Sequence, residues 1–221
     1  MIVFDPTEHS AARCQGMLSQ LIVPRPIAMI TTLGEAGTVN VAPYSYFMPI
    51  TGDPMLVAIT MGCHREADGS PKDTLTNVTR SGELVINVTT DRIRDHIETA
   101  AMEMPTEVSE LDVTGWTTIP SQKVATPSLA ESPAHLECTL VDKMALGGKA
   151  HVFSAVELVI AEVVCVTLDE EICTDDYRID GAGLAPVGRL GFPHFSTTSA
   201  PGATFSLDRI PWAAHTATER A

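Results

Sequence analysis

Pro24-Arg25-Pro26-Ile27-Ala28-Met29-Ile30-Thr31-Thr32 and, after a break at Gly34-Glu35-Ala36-Gly37, Val39-Asn40-Val41-Ala42-Pro43-Tyr44-Ser45-Tyr46-Phe47 decide the fold of this chain. Each run is rich in β-branched and aromatic residues, and the glycines between them supply turn chemistry, so the pair reads as two sequential strands over 27–32 and 39–44. Working outward, the same signature recurs over 55–60, 83–88, 134–142 and 152–167. The last run is too long for a simple strand and predicts a bend near Glu157 or Glu162. Gly147-Gly148 reads as the turn that makes the last two strands antiparallel neighbours.

Helical signals are fewer. Ser70 and Pro71 enter a predicted helix over 72–80, with Leu75 and Val78 on one side and Gly82 beyond its end. A second helix is expected over 91–101, where Ile93 and Ile97 stand at i and i+4 and Asp91 favours the positive N-terminus. A short turn is expected over 106–111. From Ser196 onward the chain is rich in Ser, Thr, Pro and Ala and reads as an arm.

The chemistry-bearing residues collect around the opening stretch. Lys72 stands at a helix start, where unsatisfied N–H groups and the macrodipole favour an anion and an ammonium adds a point charge; a solvated surface lysine is the plainer reading. Thr74 offers a hydroxyl to the same anion or to its own backbone. Asp73 would repel an anion, so it is expected to cap the helix or to orient Lys72. Thr31 and Thr32 send one hydroxyl to each side of the sheet. Ala42 permits close approach of a flat ring to the backbone, Asn40 and Ser45 supply hydrogen-bonding groups, and Pro43 leaves strand pairing. Tyr44, Tyr46 and Phe47 either stack on such a ring or fill the core. Arg25, between two prolines, is held extended and reaches either the anion or a neighbouring loop.

Pro-Arg-Pro-Ile-Ala, then Asn-x-Ala-Pro-x-Ser, then Lys-Asp-Thr, in this order, resembles the flavin reductase-like family of FMN-binding split β-barrels, which includes flavoredoxins and the reductase partners of two-component monooxygenases. Further matches are Gly82-Glu83-Leu84-Val85-Ile86-Asn87-Val88, Glu131-Ser132-Pro133-Ala134-His135-Leu136-Glu137-Cys138 and Pro186-Val187-Gly188-Arg189-Leu190-Gly191. The resemblance implies a mainly β fold, an antiparallel, Greek-key-like split barrel with a few short helices over 1–195, and a C-terminal extension or dimer arm over 196–221. It implies FMN as cofactor, with FAD left open, and NAD(P)H as a transient electron donor. Arg25, Thr31, Thr32, Asn40, Ala42, Pro43, Tyr44, Ser45, Tyr46, Lys72, Asp73 and Thr74 are the expected flavin contacts. Arg189 and His194 are the candidates on the substrate side. There the chain departs from the family's Arg-Leu-Gly-Gly element to Arg189-Leu190-Gly191-Phe192-Pro193-His194, which narrows the pocket.

The activity so implied is that of an NAD(P)H:flavin reductase passing electrons to free flavin, a small acceptor or a partner oxygenase, from a homodimer. The alternatives are an FMN enzyme acting directly on a specific organic substrate without nicotinamide and a non-enzymatic FMN-binding electron carrier. Hydride transfer is the cofactor's chemistry, which accounts for the absence of a catalytic dyad in the sequence.

Bulk properties narrow the field. With 28 acids against 14 lysines and arginines, a net charge of −14 argues against nucleic acid and against an anionic membrane surface as partners. No signal sequence is read at Met1-Ile2-Val3-Phe4, and a cytoplasmic location is expected. Five cysteines without a Cys-x-x-Cys pair indicate neither a disulfide framework nor zinc, and no metal is expected at Cys63-His64. There is no Gly-x-Ser-x-Gly, P-loop or Gly-x-Gly-x-x-Gly, so hydrolase, NTPase and Rossmann chemistry lack local support.

Overall fold

The computed structural model describes residues 1–147 and 155–207. In chain order its strands are β1 (Arg25–Pro26), β2 (Ala28–Leu33), β3 (Val39–Tyr44), β4 (Phe47–Gly52), β5 (Met55–Gly62), β6 (Glu83–Val88), β7 (Thr118–Ile119), β8 (Ser128–Leu129), β9 (Ala134–Leu146), β10 (Val156–Leu168), β11 (Val187–Arg189) and β12 (Phe195–Thr197). The helices are α1 (Ala11–Leu21), α2 (Asp73–Ser81), α3 (Glu110–Thr114) and α4 (Gly181–Leu184), with short 3-10 turns between. Seven strands form one antiparallel sheet in the order β3-β2-β6-β9-β10-β5-β4, and its two ends curl towards each other where β3 meets β5. This is the split barrel. A three-stranded sheet, β1-β11-β12, lies beside it.

Strand β2 shows why the opening stretch is apolar on both faces. Ala28 and Ile30 point into the barrel with Ile59, Met61, Leu84, Ile86 and Val159. Met29 points the other way and, with the preceding Ile27, packs on Val41, Ile93, Ile97, Trp116 and Leu129. Two cores thus share one strand, so the run reads as nearly continuous hydrophobicity. Asn87, fully buried on β6, binds the layers: its amide donates to the Met29 carbonyl at 2.9 Å and its oxygen accepts from Leu129 N at 2.7 Å.

Helix α2 starts one residue later than expected and ends at Gly82, whose φ of 72° is the left-handed conformation that stops a helix cleanly. Register shifts at Ile160/Ala161 and Val163/Cys165 bend β10 on either side of Glu162, one of the two places anticipated, while Glu157 lies in regular pairing. The turn expected at Gly147-Gly148 and the strand start at Val152 fall partly outside the described residues; Leu146 pairs with Val156, so the strands are antiparallel neighbours.

Several expectations are corrected. The segment 91–101 is not an α-helix but a chain of turns around a 3-10 helix, Arg94–His96. Its bonds mostly run to the third residue back, such as His96 N to Ile93 O, although Ile93, Ile97 and Ala100 are buried as on one helical face, and the segment starts where Thr90 bridges Pro186. The turn expected over 106–111 is helix α3, displaced towards the C-terminus and capped by Ser109. Strand β4 and helix α1 had no clear sequence signal. Pro49 interrupts the first, which is tolerated because β4 is an edge strand, and α1 buries no residue fully and so carries little hydrophobic patterning. Ser196 and Thr197 continue β12 and pair with Gly188 and Val187, and Ser199 donates to Asp91, so the start of the arm is tied to the body.

Candidate functional site

One groove runs along the C-terminal half of β3 and the link into β4. It consists of two cavities, of about 360 and 250 Å³, that meet at Pro43, Tyr44 and Ala101. One wall is the backbone and side chains of 40–46; the other is the irregular segment 97–104. Strand alternation alone would not expose consecutive residues on a wall. Here the strand ends at Tyr44, and Pro43 has no N–H to give a further neighbour.

The smaller cavity is the polar end. Asn40, Arg65, Lys72, Asp73, Thr74, Glu103 and Glu110 line it with Ala42. Lys72 is the N-cap residue of α2, has no side-chain capping bond, and leaves the first amides of the helix for another acceptor. Its ammonium lies 3.2 Å from Glu103 Oε1. The Asn40 amide donates to Thr74 Oγ1 at 2.9 Å, which fixes the threonine hydroxyl at the cavity wall. Asp73, expected from sequence to cap the helix or to orient Lys72, does neither: the N-cap is Lys72, and Asp73 pairs with Arg65 and accepts from Thr106 at 2.9 Å.

The larger cavity is aromatic and open to solvent. Tyr44, Ser45, Tyr46, Phe192 and Phe195 line it with Arg25, Glu98 and Arg189. Burial pushes the Tyr44 phenol up to about 12, the opposing hydrogen bond from Thr74 being weaker, so Tyr44 stays neutral. Phe47 turns away and packs on the barrel core. Arg189 lies over the Phe195 ring at 4.3 Å and the Phe192 ring at 5.6 Å, and pairs with Glu98. The cation lies close to both rings at the mouth of the groove.

Three groups sit elsewhere than the resemblance implied. Thr31 and Thr32 are fully buried and line neither cavity. Thr31 donates to Pro127 O at 2.7 Å, whereas Thr32 accepts from Asn77 at 3.1 Å and from Asn40 at 3.4 Å, so it supports the wall from behind. Arg25 lies in the aromatic cavity, away from Lys72. Its guanidinium donates to the carbonyls of Ser19, Ile22 and Leu190 and to Ser45 Oγ at 3.3 Å. It therefore rivets the C-terminal end of α1, where carbonyls are unpaired, to the aromatic end of the groove. His194 lines neither cavity; its backbone closes a tight turn with Gly191 and Leu190, and its side chain is exposed.

Sequence reading missed Arg65, Glu103 and Glu110. Arg65 stands only seven residues before Lys72 in a stretch read for its cysteine and histidine, and that short spacing was the available signal. Glu103 and Glu110 have none, since tertiary contact alone brings them to β3 and α2. Glu110 accepts from Val41 N at 2.7 Å, covering the free edge of β3, and burial raises its carboxyl above the usual range despite that bond. Among the described residues no group of three or more His, Cys, Asp or Glu side chains is placed to hold a metal, and no helix is long and apolar enough to cross a membrane.

Comparison with known proteins adds to this geometry. A family model described as a flavin reductase like domain matches residues 19–178. An uncharacterized protein of Halalkalibacterium halodurans is 37% identical over 205 residues, covering 93% of this chain and 95% of its own. Among solved structures, nitrilotriacetate monooxygenase component B from Bacillus cereus superposes with a TM-score of 0.84 at 30% identity, covering 94% of this chain and 98% of that one. The 2-nitrobenzoate 2-nitroreductase of Pseudomonas fluorescens superposes with a TM-score of 0.81 at 25% identity, covering 95% and 96%.

Proposed function

Because the chain belongs to the flavin reductase-like family, whose members point to flavin-dependent oxidoreductase activity, we propose that its groove binds flavin mononucleotide and presents it to NAD(P)H. The observation that carries this reading is the order of chemistry along the groove: a polar end where Lys72 and Arg65, each paired with a carboxylate, meet the Thr74 hydroxyl, a wall at 42–46, and an open aromatic mouth at Arg189 and Phe192. The donor set fits the cofactor. Lys72, Thr74 and the free amides of α2 would hold the phosphate, Asn40 and Ser45 the ribityl hydroxyls, and Ala42, Pro43 and Tyr44 one face of the ring. Bound there, the flavin would supply hydride acceptance from the nicotinamide and electron delivery to an acceptor.

The protein's own part is binding and orientation. Tyr44, neutral over the working range, offers a donor without charge, and Arg25 holds Ser45 and the Leu190 loop in place. Arg189, packed against Phe192 and Phe195 and paired with Glu98, would meet an anionic donor by exchanging that carboxylate for it. The likeness to a monooxygenase component supports a partner oxygenase as acceptor, with free flavin or a small acceptor as the other routes. A homodimer is part of the reading, supported by a wide groove lined by Met55, Leu136, Val166, Tyr177 and Ile179, of which all but Leu136 are exposed apolar residues.

A second reading, an FMN enzyme acting directly on an organic substrate without nicotinamide, is favoured by the likeness to the nitroreductase, whose substrate is organic, and by the two arginines beside the aromatic mouth. One experiment separates them. Absorption spectra of the protein with FMN are recorded anaerobically after NADH, then NADPH. Bleaching supports the reductase and identifies its donor; bound flavin that bleaches only with a chemical reductant supports an electron carrier or a donor other than nicotinamide; absence of flavin binding refutes the site.

A further inference from the structure

We infer that Glu103 is a built-in competitor for the flavin phosphate, an inference that rests on the placement of that phosphate beside Lys72 and Thr74. The Glu103 carboxylate sits in an anion cradle. Both of its oxygens accept from Glu66 N at 3.0 Å, Oε2 also accepts from Ala67 N at 3.3 Å, and Oε1 faces Lys72 Nζ at 3.2 Å. Two successive backbone amides and an ammonium are a set of donors suited to a phosphate, and here a side chain of the same chain fills them. Burial acts to raise this carboxyl, yet the Glu66 and Ala67 amides and Lys72 hold it below the usual range, so it is ionised at neutral pH.

The other cation of this cavity is also taken. Arg65 pairs with Asp73, and Thr106 donates to the second oxygen of the same carboxylate at 2.9 Å. The polar end thus brings two cations and two paired carboxylates together. A phosphate of about −1.5 to −2 charge arriving there meets no net positive field. It has to replace one carboxylate, and the two differ in freedom to leave. Asp73 is the first residue of α2 and is clasped by Arg65 and Thr106. Glu103 lies on an irregular segment whose backbone is anchored independently, because Arg65 donates to Met104 O. Its side chain can rotate out while Met104 stays in place.

The exchange frees Lys72 for a phosphate oxygen beside Thr74, with Glu103 turned to solvent and the Glu66 and Ala67 amides released from it. It weakens flavin retention by the affinity of the cradle for its own carboxylate. A cofactor held in this way exchanges readily, as a protein that delivers reduced flavin to a separate acceptor requires. The opposite role is that Glu103 positions Lys72 for the phosphate, and the two make opposite predictions.

The test is a fluorescence titration of FMN and of riboflavin, which lacks the phosphate, into the full chain and into Glu103→Gln, Glu103→Ala and Lys72→Met. Glu103→Gln keeps an acceptor for the amides and removes only the charge; Glu103→Ala removes both, and thermal melting checks that each is folded. The expected result is FMN binding about tenfold tighter in both Glu103 variants, with riboflavin changed less than about twofold. Unchanged or weaker FMN binding in both overturns the inference and assigns Glu103 to positioning or to structure. Should the unaltered protein bind FMN and riboflavin equally and Lys72→Met change neither, the phosphate placement itself has failed, and the inference falls with it.

Discussion

Replacing Lys72 by methionine removes one charge from the polar end of the groove and keeps the length of the stem. Helix α2 loses no capping bond, since Lys72 makes none through its side chain, so the fold is expected to survive. A hydrogen bond to a charged group contributes about 1.5–3 kcal/mol. Lys72 is not free in the empty protein, however: it lies 3.2 Å from Glu103, and moving from that carboxylate to a phosphate returns only part of the gain. The net loss is therefore about 1–2 kcal/mol, or roughly a 5- to 30-fold weaker FMN affinity. Riboflavin affinity should change by less than about twofold, because the lost partner meets only the phosphate. Raising the salt concentration should shrink the difference, as the Lys72 side chain is partly exposed and screened. Calorimetric titration of both ligands against both proteins measures the effect. Equal FMN affinities would remove Lys72 from the phosphate, and parallel losses for FMN and riboflavin would show a disturbed fold instead.

Three further expectations follow from the same coordinates. Arg189→Met should raise the KM for NADH or NADPH by about tenfold with little change in FMN affinity, since Arg189 lies at the open mouth and away from the polar end; steady-state kinetics with saturating flavin will tell, and a loss confined to FMN binding would refute it. Glu110 has a carboxyl raised by burial, so the folded state prefers it protonated: its favourable contribution is complete below the ordinary value of 4.5 and is lost as pH rises through the raised one. Glu110→Gln, which retains an acceptor for Val41 N, should therefore raise the melting midpoint at neutral pH and lose that advantage in acid; a pH-independent difference would contradict this sign. Asn87→Leu leaves the Met29 carbonyl and the Leu129 amide buried without their partner and should cost about 2–4 kcal/mol in urea unfolding, whereas a loss under about 0.5 kcal/mol would mean that the layers are held by apolar packing alone.

The strands were legible because a barrel wall is written locally. The opening stretch reads as strand on propensity and on the turn at Gly34, and β2, β3, β5 and β6 lie where that reading puts them, within two residues at their ends. Where burial is one-sided or absent the pattern fails: α1 has no fully buried residue, and β4 is an edge strand crossed by Pro49. The helix expected over 91–101 fails for another reason. Ile93 and Ile97 do have helical spacing and are buried, but the segment forms 3-10 turns next to Thr90, which bridges Pro186 across 96 positions of chain, a contact that local spacing does not encode.

For the candidate site the sequence by itself determined the wall and one cation. Asn40, Ala42, Pro43, Tyr44, Ser45, Tyr46, Lys72, Asp73 and Thr74 all line the groove, because strand β3 and the start of α2 are local structures that carry their side chains with them. Only the tertiary structure decided which hydroxyls face the groove and which charges meet there. Thr31 is covered by the segment at Pro127 and Thr32, on the other face of β2, by α2 through Asn77, while Arg25 is drawn to the open carbonyls of α1. Arg65, Glu103 and Glu110 arrive from segments whose own composition gives no sign of it. Charge balance is a property of side chains gathered in space, and in a chain of −14 only folding brings Arg65 and Lys72 together and chooses the carboxylates that pair with them.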